Sequence, residues 1–315
     1  MGKGNIIIDG SNLLMASLAV NVDDVTNDND YIGGVTGVLT QIAGLINYLD
    51  PYSVFVAFDK GKSKFRLDMY PEYKAGRRKH IKDEAMIYRF SHASIHASYL
   101  KELLPLLGVN VLCVNEVEAD DVIANFVKQS NRYNVIVSTD KDFFQLVNDT
   151  TTIYRQGSKL DDLIHSHEME NYCRQNFKLG SLDYKHEWFI SMRALDGDKS
   201  DNIPGAEQIG SKRAVQLFNE AGGNDKQQII DHINSLEKVP KWKQNVIPFI
   251  ESGKWDLNHK LMDLKHSPKL DIKKLIKPST RDYDAAYTFL EELKVDDIMQ
   301  EEDMHGILSS FDEIK

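Results

Sequence analysis

Cysteine is scarce in this sequence, and the chain has no long apolar run. Its 315 residues include two cysteines, Cys113 and Cys173, which are too few for the disulfide framework of a secreted protein. A membrane-spanning helix needs about 18 or more consecutive apolar residues, and no such run occurs. The N-terminal region passes directly into Ile6–Asp9, which reads as a strand and not as a signal peptide. We therefore expect a cytoplasmic protein with reduced thiols and no membrane partner.

Positive charge is also in deficit, because the formal net charge is −10. The deficit is uneven along the chain. Residues 60–89 carry ten Lys or Arg against four Asp or Glu. A local excess of this kind is typical of a nucleic-acid contact, although an ordinary solvated surface can have the same composition. Charge alone therefore leaves both interpretations open.

Short β-branched runs alternate with helical patterns over the first half of the chain. The predicted strands are Asn5–Ile8, Val54–Phe58, Val109–Val114 and Val135–Ser138. Alternation of this kind predicts an α/β fold with a mostly parallel central sheet. After about residue 165 the sequence becomes helical and polar. We predict an α/β core over residues 1–180 and a helical region over residues 181–315.

Acidic residues stand at or just beyond the ends of the four predicted strands. They are Asp9, Asp59, the group Glu118, Asp120 and Asp121, and the pair Asp140 and Asp142. The carboxyl ends of parallel strands lie along one edge of a sheet, where ligands bind, so these acids should converge on one cleft. Two further acids, Asp198 and Asp201, lie in the segment 197–202. Taken singly, each acid could instead be a helix N-cap or a turn residue.

Nine carboxylates cannot share a cleft without compensation, since like charges at close range raise one another's pKa. Hard divalent cations such as Mg²⁺ and Mn²⁺ take oxygen ligands and would relieve the crowding. The lack of a Cys or His cluster argues against zinc. Two such ions would suit phosphodiester hydrolysis, because one can activate water while the other stabilises the leaving oxygen.

Five acidic segments together resemble the motifs of the flap endonuclease and 5′→3′ exonuclease family. They are Ile6-Ile7-Ile8-Asp9-Gly10-Ser11-Asn12, Phe58-Asp59, Glu118-Ala119-Asp120-Asp121, Ser138-Thr139-Asp140-Lys141-Asp142-Phe143 and Gly197-Asp198-Lys199-Ser200-Asp201-Asn202-Ile203-Pro204-Gly205. The resemblance covers about residues 5 to 220 and is nearest to the free-standing, phage ribonuclease H-like branch. It implies a PIN-like 5′-nuclease fold with a helical arch over residues 60–92 and a helix-three-turn-helix near residues 196–222.

The same resemblance implies two divalent metal sites, occupied by Mg²⁺ or by Mn²⁺ as a substitute. The first would be served mainly by Asp9, Asp59, Glu118 and Asp120. The second would be served or surrounded by Asp121, Asp140, Asp142, Asp198 and Asp201. Among these acids, Asp120 and Asp140 are expected to be catalytic.

The resemblance also implies a role for the basic segment, residues 60–89. Lys74 and Arg77 would contact the scissile phosphate diester and stabilise developing negative charge, which makes them catalytic candidates. Tyr73 would stack on a base near the junction, with ordinary packing as the alternative. Flanking phosphates would be held by Lys79, Lys82 and Arg89, and Arg78 is a further nucleic-acid-binding candidate.

Gly205 and Gly210, followed by the predicted helix Ser211–Ala221, resemble the helix-three-turn-helix of the family. Glycines permit close backbone approach to phosphates, and the N–H groups at a helix start suit an anion. Lys212 and Arg213 add positive charge. The resemblance also implies a K⁺ site formed by carbonyl groups of this turn. The alternative is that both glycines merely terminate helices.

These observations predict a monomeric, structure-specific 5′-nuclease that removes RNA primers or 5′ flaps from branched or RNA-primed duplex DNA during replication. A PIN-type ribonuclease shares the sheet and some acids but should lack the segment 197–205. A non-catalytic branched-DNA-binding protein should have lost some of the nine acids. The last residues, from Met304, read as a tail in which Ile307, Leu308 and Phe311 could dock a sliding clamp or single-strand-binding protein.

Overall fold

A computed structural model describes residues 3–76, 82–155, 162–278 and 280–314. Within these ranges six strands form one sheet, in the order β3-β2-β1-β4-β5-β6. The strands are β1 Asn5–Asp9, β2 Ser53–Ala57, β3 Asn110–Leu112, β4 Asn134–Val137, β5 Thr151–Arg155 and β6 Asp162–Ile164. Neighbouring strands from β3 to β5 pair in parallel, and only β6 runs antiparallel to its neighbour. The predicted α/β class with a mostly parallel sheet is confirmed.

Alternate residues of the central strand supply the two cores of the molecule. Ile6 and Ile8 enter one hydrophobic cluster, while Ile7 enters the cluster on the opposite face. All three are at most 1% exposed, which is why the strand reads as a continuous apolar run. Burial of each side chain stabilises the fold by about 1.5–3 kcal/mol. The sheet is therefore covered by helices on both faces.

Fifteen helices lie within the described ranges. In chain order they are α1 Gly10–Val20, α2 Gly33–Leu49, α3 Lys64–Met69, α4 Glu84–Ser91, α5 Ala93–Leu106, α6 Ala119–Gln129, α7 Met169–Asn176, α8 Phe189–Asp196, α9 Ser211–Ala221, α10 Lys226–Asn234, α11 Val246–Glu251, α12 Lys254–Met262, α13 Ile272–Leu275, α14 Tyr283–Glu292 and α15 Glu301–Ser310. Short 3-10 turns join several of them, and β7 Gly197–Asp198 pairs with β8 Ile203–Pro204 between α8 and α9. None of the helices in the part of the chain that is described combines the length and apolar run that a bilayer crossing needs.

The two faces of the sheet are covered by different sets of helices. Helices α1, α2, α5, α14 and α15 bury side chains in the cluster that holds Ile6 and Ile8. Helices α6 to α11 contribute to the opposite cluster with Ile7. The domain division at residue 180 stays a prediction, but α14 and α15 lie on the α/β core and away from the α6–α11 layer.

The predicted C-terminal tail is wrong. Residues 301–313 form α15 and a following 3-10 turn, and this segment packs on α2. Leu308, Phe311 and Ile314 are 3%, 0% and 2% exposed, with Met304 one turn before them. Two of the three side chains proposed to dock a sliding clamp or single-strand-binding protein are thus part of the core. The third, Ile307, is only partly exposed.

Candidate active site

A cleft of about 660 Å³ opens at the carboxyl edge of the parallel sheet. Asp9 ends β1, Asp59 follows β2, Asp120 lies in the first turn of α6, and Asp140 follows β4. All four line the cleft, together with Lys74 from the segment after α3. The strand-end arrangement that the sequence predicts therefore does bring these four acids together.

Asp9 has two structural partners as well as a place in the cleft. Its Oδ1 accepts a hydrogen bond from the Asn12 amide at 3.0 Å and caps α1, while its Oδ2 accepts from the Ser138 hydroxyl at 3.0 Å. Burial raises the pKa of Asp9 to about 7, and the Asp59 and Asp140 charges add to the rise. Asp9 therefore caps a helix, and its surroundings also disfavour its charged form.

Asp59 and Asp140 also make local hydrogen bonds. The Ala119 amide donates to Asp59 Oδ1 at 2.8 Å, at the start of α6. The Asp142 amide donates to Asp140 Oδ1 at 2.9 Å, at the start of a 3-10 turn. The capping alternative therefore describes Asp140, which is the N-cap of this turn, whereas Asp59 bonds the start of α6 from a distant segment. Neither hydrogen bond competes with metal binding, because an ionised carboxylate offers about four lone-pair sites.

The donor set fits a hard divalent cation. Burial raises the pKa of Asp120 well above its ordinary value, and Asp140 and Asp9 push it further. The cleft supplies carboxylate oxygens, which suit Mg²⁺ or Mn²⁺. Among the described residues no three or more His, Cys, Asp or Glu side chains are grouped closely enough to hold a metal ion by themselves. Mg²⁺ is usually bound through one or two carboxylates and keeps several water ligands, so it does not need such a group.

Tyr73 and Lys74 hold Glu118 on one side of the cluster. The Tyr73 hydroxyl lies 3.0 Å from Glu118 Oε2 and 3.1 Å from Asp201 Oδ2. Lys74 Nζ lies 2.6 Å from Glu118 Oε1 and 3.7 Å from Asp201 Oδ2. Burial, with Asp201 and Glu118, raises the pKa of Tyr73, so its hydroxyl remains a proton donor.

The base-stacking role predicted for Tyr73 is not supported by this geometry. The side chain is 6% exposed and packs with Ile203, Leu261 and Met262. A ring enclosed in this way offers no open face to a base. The packing alternative describes Tyr73 better, with the added feature that its hydroxyl lies within hydrogen-bonding distance of two carboxylates and can donate to either one.

Asp121 does not face the cleft, contrary to its predicted place at a metal site. It is fully buried and forms a two-pronged ion pair with Arg66, with nitrogen–oxygen distances of 2.7 and 2.9 Å. The Ser267 hydroxyl donates to Asp121 Oδ1 at 2.5 Å. Arg66 also contacts Glu118 Oε2 at 3.0 Å and donates to the Leu261 carbonyl at 2.9 Å. The pair therefore joins α3 and α6 to the end of α12.

Asp142 and Asp198 lie together around a different arginine. Arg193 Nη2 is 2.5 Å from Asp198 Oδ2 and 3.4 Å from Asp142 Oδ1. Burial raises the pKa of Asp142 to about 7, although Arg193 opposes the rise. Asp198 Oδ1 also accepts from the Ser200 amide at 2.8 Å. These two acids do not line the cleft formed by Asp9 and its neighbours.

The turn between α8 and α9 has the predicted glycines, but their environments differ. A Cβ on Gly205 would lie 2.1 Å from the Asp196 carbonyl oxygen, so the turn requires glycine there. A Cβ on Gly210 would meet nothing nearer than 3.9 Å, so the turn does not require a glycine at this position. Lys212 and Arg213 are exposed at the start of α9. The helix-termination alternative therefore fits Gly210, which is the N-cap of α9, but not Gly205, whose backbone closely approaches Asp196.

Part of the predicted arch lies outside the described residues. That part contains Arg77, Arg78 and Lys79, so their phosphate contacts stay predictions. Lys82 is exposed immediately before α4. Helix α4 has no fully buried residue, while its neighbour α5 buries His96 and Leu100.

Sequence reasoning missed three side chains that control the acids. Arg66 was counted only as one positive charge in a basic segment, and nothing in its spacing indicated a buried pair. Arg193 lies on α8, outside every motif, and no sequence signal pointed to it. Ser138 was included in the Ser138–Phe143 motif, where its position directly after β4 could have indicated a bond to Asp9.

The metal-free protein is expected to lose stability as the pH rises from about 4 to 7. Asp9 has a folded pKa of about 7 against an ordinary value of 3.8, so its favourable contribution is present when protonated and is lost on ionisation. Asp142 should add in the same direction. We expect the Tm in EDTA to fall by roughly 5–10 °C between pH 5 and pH 8.

Two additions complete this measurement. Mg²⁺ at pH 8 should restore the Tm, since a cation stabilises the ionised acids. Asp9→Asn should flatten the pH dependence in EDTA. A Tm that rises between pH 5 and pH 8 without metal would contradict the assignment of strained acids.

Comparison with known families divides the chain into two matched segments. A family described as "5'-3' exonuclease, N-terminal resolvase-like domain" matches residues 5–177, which is more than half of the chain. A second, "5'-3' exonuclease, C-terminal SAM fold", matches residues 184–283. The first contains the sheet with its strand-end acids, and the second contains the α8–α9 turn.

Curated relatives include whole exonucleases and longer polymerases. A 5'-3' exonuclease of Buchnera aphidicola subsp. Acyrthosiphon pisum (strain APS) is 28% identical over 277 residues, which are 85% of this chain and 88% of that protein. DNA polymerase I of Lactococcus lactis subsp. lactis (strain IL1403) is 30% identical over 251 residues, covering 77% of this chain. This chain spans about a quarter of that polymerase, because the match covers 26% of its length.

Solved structures share the fold. The bacteriophage T5 D15 flap endonuclease, in a complex with DNA and metal ions, has a TM-score of 0.65 at 23% identity, with 98% of each chain covered. The catalytic core of Rad2 with a DNA substrate has a TM-score of 0.60 at 15% identity, covering 98% of this chain and 92% of that one. These likenesses show the fold, and the family matches over residues 5–177 and 184–283 show that the chain belongs to the 5′-3′ exonuclease family.

Proposed function

We propose that this chain is a structure-specific 5′-nuclease that hydrolyses phosphodiester bonds of 5′ flaps, RNA primers or nicked duplex DNA. The observation that carries the proposal is the convergence of Asp9, Asp59, Asp120 and Asp140 with Lys74 on one cleft. Relatives named 5'-3' exonuclease and a fold shared with a DNA-bound flap endonuclease support it.

Divalent metal binding is part of the proposal. Asp9, Asp120 and Asp140 repel one another in the cleft and would hold the first ion, with Asp59 beside them. The sequence-based expectation had Glu118 at this site and Asp140 at the second, but Asp140 lines the cleft and Glu118 does not. Asp142, Asp198 and Asp201 would serve the second. When bound, Mg²⁺ or Mn²⁺ supplies an activated water and stabilisation of the leaving oxygen.

Lys74 and Tyr73 prepare the cleft for a phosphate. Lys74 Nζ neutralises part of the charge of Glu118 and Asp201 while it lines the cleft. An ammonium in this place can donate to a phosphate oxygen on which negative charge develops. The Tyr73 hydroxyl lies within hydrogen-bonding distance of Glu118 and Asp201 and can donate to either one.

The α8–α9 turn is proposed to bind duplex phosphates through its backbone, and the two glycines allow a matched test. Gly210→Ala should fold normally, because a Cβ has room there. It should nevertheless weaken duplex binding, because the methyl group would stand where a phosphate approaches. We expect a loss of roughly 5–10-fold in affinity for a nicked duplex, measured by fluorescence anisotropy.

Gly205→Ala is the companion variant. Its Cβ would overlap the Asp196 carbonyl, so we expect a lowered Tm as well as weakened binding. Equal affinity of Gly210→Ala and the parent protein would contradict backbone binding at α9. The proposed K⁺ site in this turn can be examined in the same assay by exchanging KCl for LiCl.

A PIN-type ribonuclease is a weaker candidate, because the match over residues 184–283 includes the segment it should lack. A non-catalytic branched-DNA-binding protein is also disfavoured, since all nine acids are present. Four properties stay predictions: action in replication, a monomeric state, a cytoplasmic location and membership of the phage-like branch. Binding to a clamp or single-strand-binding protein is no longer supported, because Leu308 and Phe311, which were expected in an exposed tail, are buried.

Cleavage mapping on matched blunt, nicked, RNA-primed and 5′-flap duplexes tests the proposal. With Mg²⁺ we expect cuts close to the junction between single strand and duplex, and weaker cutting of the blunt duplex. Tight binding of the flap substrate without cleavage at saturating Mg²⁺ or Mn²⁺ would instead favour the non-catalytic protein.

A further inference from the structure

Arg193 lies between two of the acids assigned to the second metal site. Its Nη2 is 2.5 Å from Asp198 Oδ2 and 3.4 Å from Asp142 Oδ1, and its Nη1 is 3.4 Å from the Gly197 carbonyl. One guanidinium nitrogen therefore contacts both carboxylates. A divalent ion held by the same two acids would lie close to this guanidinium, and the two positive charges would repel each other.

The position of Arg193 is fixed by the packing of its helix. Its neighbours on α8, Met192 and Ala194, are both 0% exposed. The side chains of Arg193, Asp142 and Asp198 are 12%, 20% and 18% exposed, so this ion pair is largely shielded from water. A shielded pair is screened little by salt and holds its geometry.

The acids that line the open cleft do not have the same arrangement, although Arg66 lies between Glu118 and Asp121 in a similar way, at 3.0 and 2.7 Å. Asp9 and Asp120 line the open cleft, and Asp9 accepts hydrogen bonds from two neutral groups, the Asn12 backbone amide and the Ser138 hydroxyl. Glu118 and Asp201 are contacted by Lys74, whose side chain is 21% exposed and can turn toward a phosphate. The two halves of the acidic cluster thus differ in how their charge is balanced.

We propose that Arg193 is a built-in counter-cation for Asp142 and Asp198, so that a second divalent ion binds there only by displacing its guanidinium. This inference rests on the proposed function and concerns its second metal site. The first ion binds at Asp9, Asp120 and Asp140 without this competition. The protein without DNA then binds one ion tightly and a second ion weakly.

Counting Mn²⁺ ions tests this directly. Free Mn²⁺ is measured by electron paramagnetic resonance as the protein is titrated without DNA. We expect one tight ion in the parent protein and a second that is weaker by ~10–100-fold, the range by which residues around a metal site alter affinity. Arg193→Gln should tighten the second ion by a similar factor and leave the first unchanged.

Arg132→Gln is the matched control. It removes one positive charge from an exposed arginine between α6 and β4 that lies over the Tyr52 ring and, among the described residues, pairs with no carboxylate. It should leave both affinities unchanged. Two equally tight ions in the parent protein, or an unchanged second ion in Arg193→Gln, would overturn the proposal.

A second variant covers the case in which Arg193→Gln does not fold, as judged by circular dichroism. Asp142→Asn should remove the weak ion and keep the tight one, while loss of the tight ion would overturn the proposal. Failure here is distinguishable from failure of the proposed function. A protein that cuts a 5′ flap with Mg²⁺ but has two equal sites keeps its function and loses only this role for Arg193.

Discussion

Asp120→Asn is expected to reduce Mg²⁺-dependent cleavage of a 5′ flap on the order of 10³-fold. The amide has nearly the shape of the carboxylate but lacks its charge, so the variant weakens metal binding without opening a cavity. The charged form of Asp120 is opposed by burial, by Asp140 and by Asp9. The substitution should therefore leave the Tm unchanged or raise it. Single-turnover rates and thermal melts on the same preparation measure both effects.

Asp68→Asn is a suitable control for this experiment. Asp68 is an exposed acid of α3 that pairs with Lys64 at 2.6 Å and does not line the cleft. Its substitution should leave the cleavage rate within about twofold of the parent. Full activity of Asp120→Asn would show that the cleft acids are structural and that the metal assignment is wrong.

Arg66→Met is expected to destabilise the fold by about 3–5 kcal/mol. The substitution leaves Asp121, which is 0% exposed, and Glu118, which is 5% exposed, without their arginine. Uncompensated buried charge is more costly than the loss of a contact, because the group has no water to replace its partner. Urea unfolding of the parent and the variant measures the change.

Two variants separate charge from packing in this experiment. Lys64→Met, also on α3, breaks the exposed pair with Asp68 and should change stability far less. Arg66→Met with Asp121→Leu removes both members of the buried pair and should recover part of the loss. If Lys64→Met and Arg66→Met had the same effect, the buried pair would not be the source of the stability.

Four of the six strands could be predicted, because a strand that is covered on both faces is a nearly continuous run of apolar residues. The four predicted strands match β1 to β4, and their order in the chain placed Asp9, Asp59 and Asp140 on one edge. Strand β5, Thr151–Arg155, was missed even though it is β-branched. The three-residue strand β6 is too short to carry a pattern.

The orientation of side chains on α6 was harder to predict. Asp120 and Asp121 are adjacent, and neighbours on a helix point about 100° apart. Asp120 therefore faces the cleft, while Asp121 points away from it toward Arg66. The spacing of Asp120 and Asp121 from the preceding strand could not show which of the two would face the cleft. The partner of Asp121 is Arg66, which lies in a distant segment of the chain.

The C-terminal error has a different cause, since the signal was present in the sequence. Met304, Leu308 and Phe311 are spaced by four and three residues, which is a helical stripe. A short apolar stripe at the end of a chain was interpreted as a tail motif, but it covers the face of α2. Whether such a stripe binds its own core or a partner depends on tertiary packing.

Polarity of cleavage tests the central claim most directly. A duplex with a labelled 5′ flap and one with a matched 3′ flap are incubated with the protein in EDTA and then with Mg²⁺. A metal-dependent 5′-nuclease should cut the 5′ flap near its junction only after Mg²⁺ is added and should leave the 3′ flap intact. Cleavage in EDTA, equal cutting of both flaps, or no cutting of either with Mg²⁺ or Mn²⁺ would contradict it.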